Sequence, residues 1–305
     1  MRHLDSCPGC GSLRIRSYSL TVEADRKKAL HYSQSYCAAC DLVFSNPVAD
    51  VEELRRFYSE HYYEEEDLEY NANRPDIEQL IRARAEGEKE GLKKSVLPYV
   101  SSGLFFEIGA GYGALMEGAR QLGFQVAGVE ASEQASRFGR EVLYLKDLKH
   151  GLFNPLDWPD SFCDVIYSYH VIEHVSDLNQ FVGGMFRMLK PGGLAVVGTE
   201  NHHHSLVWYR RLRNWLIGRR LPEFQTADHH TFYFSDRSLC YLLTREGFRI
   251  EKCLVYTHPL KEKLAKIPPF KSVFSKMVFY ALHYADVWTH SGNRLLIWCR
   301  KPLHA

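Results

Sequence analysis

The chain has 305 residues, which is long enough for one large core and an accessory module. Its 38 basic and 37 acidic residues nearly balance, so the overall charge favours neither nucleic acid nor a membrane as a partner. No apolar segment follows the first three residues, and no uncharged apolar run reaches about 18 residues. The sequence therefore predicts no signal peptide and no transmembrane helix, and we expect a cytoplasmic protein.

Four of the eight cysteines fall within the first 40 residues, as two C-x-x-C pairs. Two such pairs, each with turn-forming residues, are typical of a tetrahedral thiolate site for Zn²⁺. The alternative of free thiols or disulfides is disfavoured in a cytosolic chain of this size. Because protein ligands fill all four positions, we expect a structural rather than a catalytic metal. The predicted ligands are Cys7, Cys10, Cys37 and Cys40.

A helical connector is predicted after the cysteine-containing segment. Asp50 has the features of a helix N-cap, because Glu53 follows three residues later and an apolar pattern continues beyond it. An acidic run at 64–69 is typical of a solvated face. A second, charged helix is predicted from Pro75 to Lys94.

A glycine-rich stretch then organises the rest of the chain. The apolar run at 104–106 predicts a buried parallel strand, and it leads into Glu107 and three alternating glycines before a helix starts at Ala114. Glycines at such a turn allow the backbone to approach a nucleotide-like ligand closely. The three glycines are Gly109, Gly111 and Gly113.

Two ligands compete for this turn. Gly109, Gly111 and Ala114 also fit the G-x-G-x-x-G/A pattern of NAD-binding proteins, with Glu130 placed for the ribose. Glu107, however, would repel a pyrophosphate, whereas it suits a cationic group such as the ammonium of a methionine moiety. The carboxylate therefore favours S-adenosylmethionine (SAM).

Further segments of the chain continue this α/β pattern up to residue 199. They are a strand at 125–129 that ends in Glu130, a strand at 163–168, a helix at 181–189 with a predicted stop at 190–193, and a strand at 194–199.

The motifs E-x-G-x-G-x-G, V-E, F-C-D-V-I, H-V-I-E-H-V and L-K-P-G-G occur in this order. With them, the segment from about 104 to 300 resembles the class I SAM-dependent methyltransferases, which have a Rossmann-like, seven-stranded, doubly wound α/β sheet. The stretch C-x-x-C-D-L-V-F-S-N-P, followed by E-E-L-R-R-F-Y and H-Y-Y, resembles the leader of a bacterial group in which a zinc ribbon precedes this domain. Many members of that group act on sugars, surface polysaccharides or secondary metabolites.

The resemblance implies three parts of the chain and a set of cofactor contacts. The parts are a zinc-ribbon-like module at 1–46, a helical connector at 47–95, and a methyltransferase domain at 96–305 with lid insertions at about 201–234 and 257–290. The expected SAM contacts are Glu107, Gly109, Ala110, Gly111, Gly113, Glu130, Ala131, Leu152, Tyr169 and His170.

Histidines are concentrated where the strands of the resembled fold end. His170 and His174 have the four-residue spacing of a metal motif on a helix, but their position at a strand end favours a role in lining the cofactor and substrate. A histidine general base suits transfer to a hydroxyl, or to a carbon beside a carbonyl. The candidate bases are His174, His202, His203 and His230, with His202 or His203 preferred.

Other interpretations remain open at this point. Some rRNA methyltransferases also carry a zinc ribbon ahead of this fold, but they would need a basic surface. A SAM-binding or zinc-scaffold protein without catalysis is the non-enzymatic alternative. The aromatic and basic segment at 206–220 is predicted to be a helix, which fits a lid, a phosphate site, a peripheral membrane contact or an amphipathic helix packed on the core. The favoured function is methyl transfer to a small molecule.

Overall fold

The computed structural model describes residues 2–18, 33–60, 75–205, 230–257, 273–289 and 291–304, with a few single positions between 207 and 264. The acidic run at 64–69 and most of the predicted helix at 206–220 lie outside the described residues. The strands are β1 Ile15–Tyr18, β2 Gln34–Cys37, β3 Val43–Ser45, β4 Leu104–Ile108, β5 Gln125–Glu130, β6 Leu148–His150, β7 Cys163–Tyr169, β8 Leu189–Glu200, β9 Phe232–Tyr233, β10 Arg249–Tyr256 and β11 Arg294–Arg300. The helices are α1 Val51–Glu60, α2 Ile77–Ser95, α3 Ala114–Gln121, α4 Glu133–Glu141, α5 Leu178–Met188, α6 Asp236–Arg245 and α7 Val273–Thr289.

The main sheet has seven strands in the order β10-β11-β8-β7-β4-β5-β6. The strands from β8 to β6 in this order are parallel, and β11 runs antiparallel between β8 and β10. β4 lies between β5 and β7, and its residues Phe105 and Phe106 are fully buried. This arrangement confirms the Rossmann-like, seven-stranded α/β fold expected from the sequence. Ligands of such sheets bind at the carboxyl ends of the parallel strands.

The connector helix α2 packs closely on α3 of the core. A Cβ atom added at Gly118 in α3 would lie 2.9 Å from the backbone nitrogen of Lys89 in α2, so only glycine allows this approach. Ile81 and Ala85 of α2 are buried in the same contact region as Met116 of α3. The predicted helix at 75–94 is thus observed at 77–95, with its apolar side against the core.

A second sheet has the order β1-β2-β3-β9. Its first three strands belong to the segment that carries the four N-terminal cysteines. The fourth strand, β9, comes from the other end of the chain and pairs with β3 through Val43↔Tyr233 and Phe44↔Phe232. The sheet therefore extends beyond the module expected at 1–46.

Two local predictions differ from the structure. The stretch Lys190–Gly193 was expected to end a helix, but β8 begins at Leu189 and includes it. The strand starts directly after α5, which ends at Met188. Within it, Gly192 adopts a φ of +80° and donates its N–H to the carbonyl of Lys301. The segment His170–His174 is a turn rather than a helix, with the N–H of His174 donating to Val171 at 2.9 Å.

Membrane-spanning helices were not expected from the sequence. In the described part of the chain, none of the helices has the length and apolar character needed to cross a bilayer.

Replacement of Ser132 by alanine should destabilise the fold by about 0.5–2 kcal/mol. Its hydroxyl caps α4 by accepting the N–H of Ala135 at 3.2 Å, and Ser132 is buried. The measurement is the free energy of unfolding in urea. Ser101→Ala, at an exposed position before β4, is the matched control, and an equal change in both variants would contradict the capping role.

Candidate cofactor cavity and cysteine site

The turn after β4 depends on glycine at three positions. Gly109, Gly111 and Gly113 have φ values of +78°, +53° and +85°, a region that residues with a side chain rarely adopt. The N–H groups of Gly109 and Ala110 donate to the carbonyl of Val129 at 2.9 and 3.2 Å, which ties the turn to β5. The backbone is therefore held in a tight turn at the carboxyl edge of the sheet.

Glu130 at the end of β5 fixes the same turn. Its Oε2 accepts the N–H of Gly111 at 2.7 Å, and its Oε1 accepts the N–H of Ser132 at 2.8 Å. Burial raises the pKa of Glu130 above its ordinary value, while these two hydrogen bonds oppose the shift. Each carboxylate oxygen retains a further acceptor position, and two such positions suit the paired hydroxyls of a ribose.

A cavity of about 470 Å³ opens beside this turn, within the usual size range of small-molecule sites. The structure brings most of the predicted cofactor residues together on its wall. They are Gly109, Gly111, Glu130, Ala131, Leu152, Tyr169 and His170.

Glu107, Ala110 and Gly113 are not part of the cavity wall within the described part of the chain. Glu107 is buried beneath the turn, and burial raises its pKa well above the ordinary value. Its Oε2 atom has no hydrogen-bond partner among the residues that the structure describes. An unpartnered buried carboxyl group is costly, so a nearby cation would stabilise its charged form. Its contact with SAM stays a prediction.

Part of the wall was not predicted from the sequence. Val51, Leu54 and Arg55 of α1 line the cavity, and so do Asp177 and Gln180 at the start of α5. The capping residues Asp50 and Glu53 indicated α1 correctly, since each accepts the other's backbone N–H at 2.9 Å. That signal locates the helix start, but it does not indicate which side of the helix faces the cavity.

Both ring nitrogens of His170 are engaged. Nε2 lies 2.9 Å from Nη1 of Arg294, and Nδ1 lies 2.7 Å from Oε1 of Glu173. Arginine only donates, so Nε2 accepts and Nδ1–H donates to Glu173. Because neither nitrogen remains for a metal, the metal interpretation of the H-x-x-E-H spacing fails at its first histidine. Arg294 also donates to Oε1 of Glu200 at 2.7 Å.

Glu173, His174 and His230 form a compact group next to the cavity. Their side-chain ligand atoms lie within 4.8 Å of one another, and the two imidazole rings are 4.7 Å apart. Burial acts to raise the pKa of Glu173, but the hydrogen bond from His170 and the neighbouring histidines outweigh it and lower that pKa to about 2. His174 reaches the cavity wall. An ionised carboxylate therefore stands behind an imidazole that faces the cavity.

His202 and His203 lie elsewhere. Nε2 of His202 donates to the backbone carbonyl of Asp41 at 3.0 Å, and Nε2 of His203 lies 3.1 Å from Oδ2 of Asp41. Neither histidine belongs to the cavity wall in the described residues. The two preferred candidate bases instead connect the end of β8 to the cysteine-containing segment.

The four N-terminal cysteines converge, as the C-x-x-C spacing predicts. Their sulfur atoms lie within 4.8 Å of one another, with Cys7–Cys40 and Cys10–Cys37 Sγ separations of 3.5 Å. Each C-x-x-C pair forms a short turn, a knuckle, and the two knuckles are alike. Gly11 and Asp41, which follow the pairs, have φ values of +72° and +70° and donate their N–H groups to the carbonyls of Cys7 and Cys37.

The chemistry of this sulfur group fits a zinc ion. Tetrahedral Zn–S bonds of about 2.3 Å need sulfurs just under 4 Å apart, close to the observed spacing. Burial raises the pKa of Cys10 to about 11, so the thiolate form needs a positive charge that a bound Zn²⁺ would supply.

Comparison with known proteins identifies the family of the chain. The profile of a family described as a methyltransferase domain matches residues 86–252, more than half of the chain. The chain belongs to the class I SAM-dependent methyltransferases. The matched range of this methyltransferase includes the glycine turn, Glu130 and the Glu173–His174 pair.

Two curated relatives match about half of the methyltransferase. A probable SAM-dependent methyltransferase of Mycolicibacterium smegmatis is 32% identical over 152 residues, covering 49% of this chain and 52% of the relative. A ubiquinone biosynthesis O-methyltransferase of Bradyrhizobium sp. ORS 278 is 33% identical over 150 residues, covering 45% and 59%. The chain thus spans only about half the length of the curated relatives it matches.

Among solved structures, the geranyl diphosphate C-methyltransferase of Streptomyces coelicolor A3(2) is similar in fold. It superposes with a TM-score of 0.50 at 17% identity, covering 82% of this chain and 97% of that one. At this identity the likeness shows the shared fold alone.

Gly109→Ala should lower the affinity for SAM at least about tenfold, a loss of about 1.4 kcal/mol. The new Cβ would meet Cγ2 of Val171 at 2.4 Å and would force a positive φ on alanine. Calorimetric titration with SAM measures this. Gly123→Ala is the matched control, because Gly123 has a φ of +91° but open space around it. Equal affinities of the two variants would contradict the role given to the turn.

We expect the purified 305-residue chain to hold one zinc ion, and Cys10→Ser to lose it. Cys10 is the least buried of the four cysteines, so the substitution removes a ligand with little change in packing. Metal content after gel filtration, determined by mass spectrometry, is the measurement. Cys253→Ser, at an exposed cysteine, should keep the metal. Zinc retained by Cys10→Ser would argue against the four-cysteine site.

Proposed function

We propose that this methyltransferase transfers the methyl group of SAM to a hydroxyl oxygen of a small-molecule acceptor, with His174 as the general base. The observation that carries the proposal is the position of His174, on the wall of the same cavity as Gly109, Gly111 and Glu130. The relatives named as O-methyltransferases support oxygen as the receiving atom. A carbon beside a carbonyl is the second candidate acceptor.

SAM supplies an electrophilic methyl group when it is bound. The glycine turn and Glu130 would hold it, with Glu130 accepting the ribose hydroxyls. Leu152, Tyr169 and His170 would flank the adenosine. Positioning an acceptor in line with the methyl group is the main task of the protein, and good positioning contributes up to roughly 7–11 kcal/mol to lowering such a barrier.

His174 would remove the hydroxyl proton as the bond to the methyl group forms. Glu173 stays ionised because its pKa is about 2, so its charge would stabilise the imidazolium that results. His230 stands beside His174 and lies 3.9 Å from Glu200, measured between Nδ1 and Oε2. General-base catalysis of this type contributes typically about 100- to 10,000-fold in rate.

One part of the remaining wall is apolar, although Arg55, Asp177 and Gln180 also line the cavity. Val51 and Leu54 of α1 face the cavity together with Phe153, Leu156 and Phe181. Such side chains favour a ligand that buries apolar surface. Among the acceptor classes expected from the sequence, this supports a hydroxylated secondary metabolite more than a sugar or a polysaccharide precursor.

Two structural roles accompany the catalytic one. We propose that the cysteines hold a structural Zn²⁺ in a module at 1–46, and that the connector at 47–95 carries one wall of the cavity through α1. The catalytic domain then follows from residue 96.

His174→Asn should lower kcat by about 100- to 10,000-fold while the Kd for SAM stays within about twofold. The amide keeps much of the imidazole's size but cannot take the proton. The assay is the release of S-adenosylhomocysteine, with hydroxylated aromatic metabolites and sugar nucleotides screened as acceptors for the wild-type enzyme. His304→Asn, which removes an exposed histidine outside the cavity wall, should leave kcat nearly unchanged.

Full activity of His174→Asn would rule out the proposed base. The same assay with a chelator tests whether these residues bind a metal instead. Glu173, His174 and His230 together also have the donor set of a divalent cation site. Activity that is lost with a chelator while zinc remains on the cysteines would assign these residues to a metal rather than to proton transfer.

A further inference from the structure

His230 is held by the second sheet, whose first three strands belong to the segment at 1–46 that carries the four cysteines. We refer to this segment as the cysteine module. His230 lies two positions before β9, which is the fourth strand of that sheet. The hydroxyl of Ser45 donates to the carbonyl of His230 at 3.3 Å, and the N–H of Ser45 donates to the carbonyl of Thr231 at 2.8 Å. Ser45 ends β3, so a strand of the cysteine module fixes the backbone on which His230 sits.

The segment that carries His230 is also hydrogen-bonded to Glu173, the proposed partner of His174. The N–H groups of Thr231 and Phe232 both donate to the carbonyl of Glu173, at 2.8 and 3.0 Å. The segment therefore lies between Ser45 on one side and Glu173 on the other. In this arrangement the His230 ring stands 4.7 Å from that of His174.

The second cysteine knuckle determines where β3 begins. Cys37 donates its N–H to Leu42 and accepts from Asp41, both at 2.9 Å, so the turn at Cys37–Cys40 leads directly into β3. Asp41 in turn accepts from His202 through its backbone and faces His203 through its carboxylate. A change in the sulfur positions would thus pass to β3 through one short, hydrogen-bonded turn.

Two arginines of the catalytic domain hold the knuckles from the outside. Arg237 donates to the carbonyl of Ala39 at 3.0 Å, and Arg245 donates to the carbonyl of Gly9 at 2.5 Å. Both arginines belong to α6, whose N-cap Ser235 follows β9 closely. The cysteine module is therefore bonded both to the segment that carries His230 and to α6, the helix that follows this segment.

We propose that the cysteine module positions His230 against His174, so that metal held by the four cysteines sets the geometry of the base. The proposal rests on the proposed function, because it assigns His230 a role only in methyl transfer. The module would act on the proton-accepting step through the two hydrogen bonds that Ser45 donates, one from its hydroxyl to His230 and one from its N–H to Thr231, and alanine at this position removes the first. Ser45 is the positioning residue in this arrangement.

The test uses the zinc-loaded 305-residue chain, isotopically labelled at histidine. The nuclear Overhauser effect between the ring protons of His174 and His230 reports their separation without any turnover. Ser45→Ala should weaken this signal and lower kcat about 2- to 10-fold, the size expected for one hydrogen bond. The KM for SAM should change less than about twofold, since Ser45 is not on the described cavity wall.

Ser17→Ala is the matched control. Ser17 lies in β1 of the same sheet, and its hydroxyl contacts that of Ser35 at 3.4 Å, away from His230. This variant should keep both the ring-to-ring signal and kcat. Zinc removal from the wild type should abolish the signal, and added zinc should restore it.

The proposal is overturned if Ser45→Ala keeps the wild-type signal and kcat, or if folded, zinc-free protein keeps the signal. An equal loss of kcat in Ser45→Ala and Ser17→Ala would also overturn it, because it would show a general effect on the sheet rather than a specific effect on His230. The ring-to-ring signal does not depend on an acceptor. A fully active His174→Asn enzyme would therefore refute the proposed function, whereas the ring-to-ring signal in Ser45→Ala would still report whether Ser45 positions His230.

Discussion

The hydrogen bonds between β5 and the turn after β4 are the constraint on which the cavity depends. Val129 accepts the N–H groups of Gly109 and Ala110, and Glu130 accepts that of Gly111. Three consecutive backbone donors are thereby satisfied within the protein, so the turn is fixed before any ligand arrives. Burial of the Glu130 carboxylate is tolerable because Gly111 and Ser132 compensate part of its lost hydration. The same carboxylate that fixes the turn also offers acceptors to a ligand.

Features that depend on neighbours in sequence could be predicted well. The sheet class followed from the order of apolar runs and glycine turns. The helix start at Asp50 was correct, because a capping side chain bonds to a backbone group only three residues away. The turn at each C-x-x-C pair is likewise local, whereas the convergence of the two pairs was predicted from the four thiolate ligands that a zinc site needs.

Features that depend on distant partners could not be predicted from the sequence. His202 and His203 follow β8, but Asp41 determines where their rings point, and nothing near them in sequence indicates Asp41. The spacing of His170 and His174 suggested a helix, whereas Arg294 and Glu173 hold His170 in a turn at a φ of +57°. The two-residue strand β9 is too short for a periodic signal, and its existence follows from pairing with β3. The cavity face of α1 was missed for the same reason.

Pairing between β3 and β9 also has a consequence for how the chain is made. Ser45 and His230 are separated by 185 positions, which a ribosome adding about 5–20 residues per second covers in roughly 10 to 40 seconds. During that interval β3 would be an open sheet edge, and such edges are templates for pairing with other chains. Nascent protein is therefore exposed to misassembly at this edge until the last quarter of the chain emerges, and chaperones that shield strand edges would matter most in this interval.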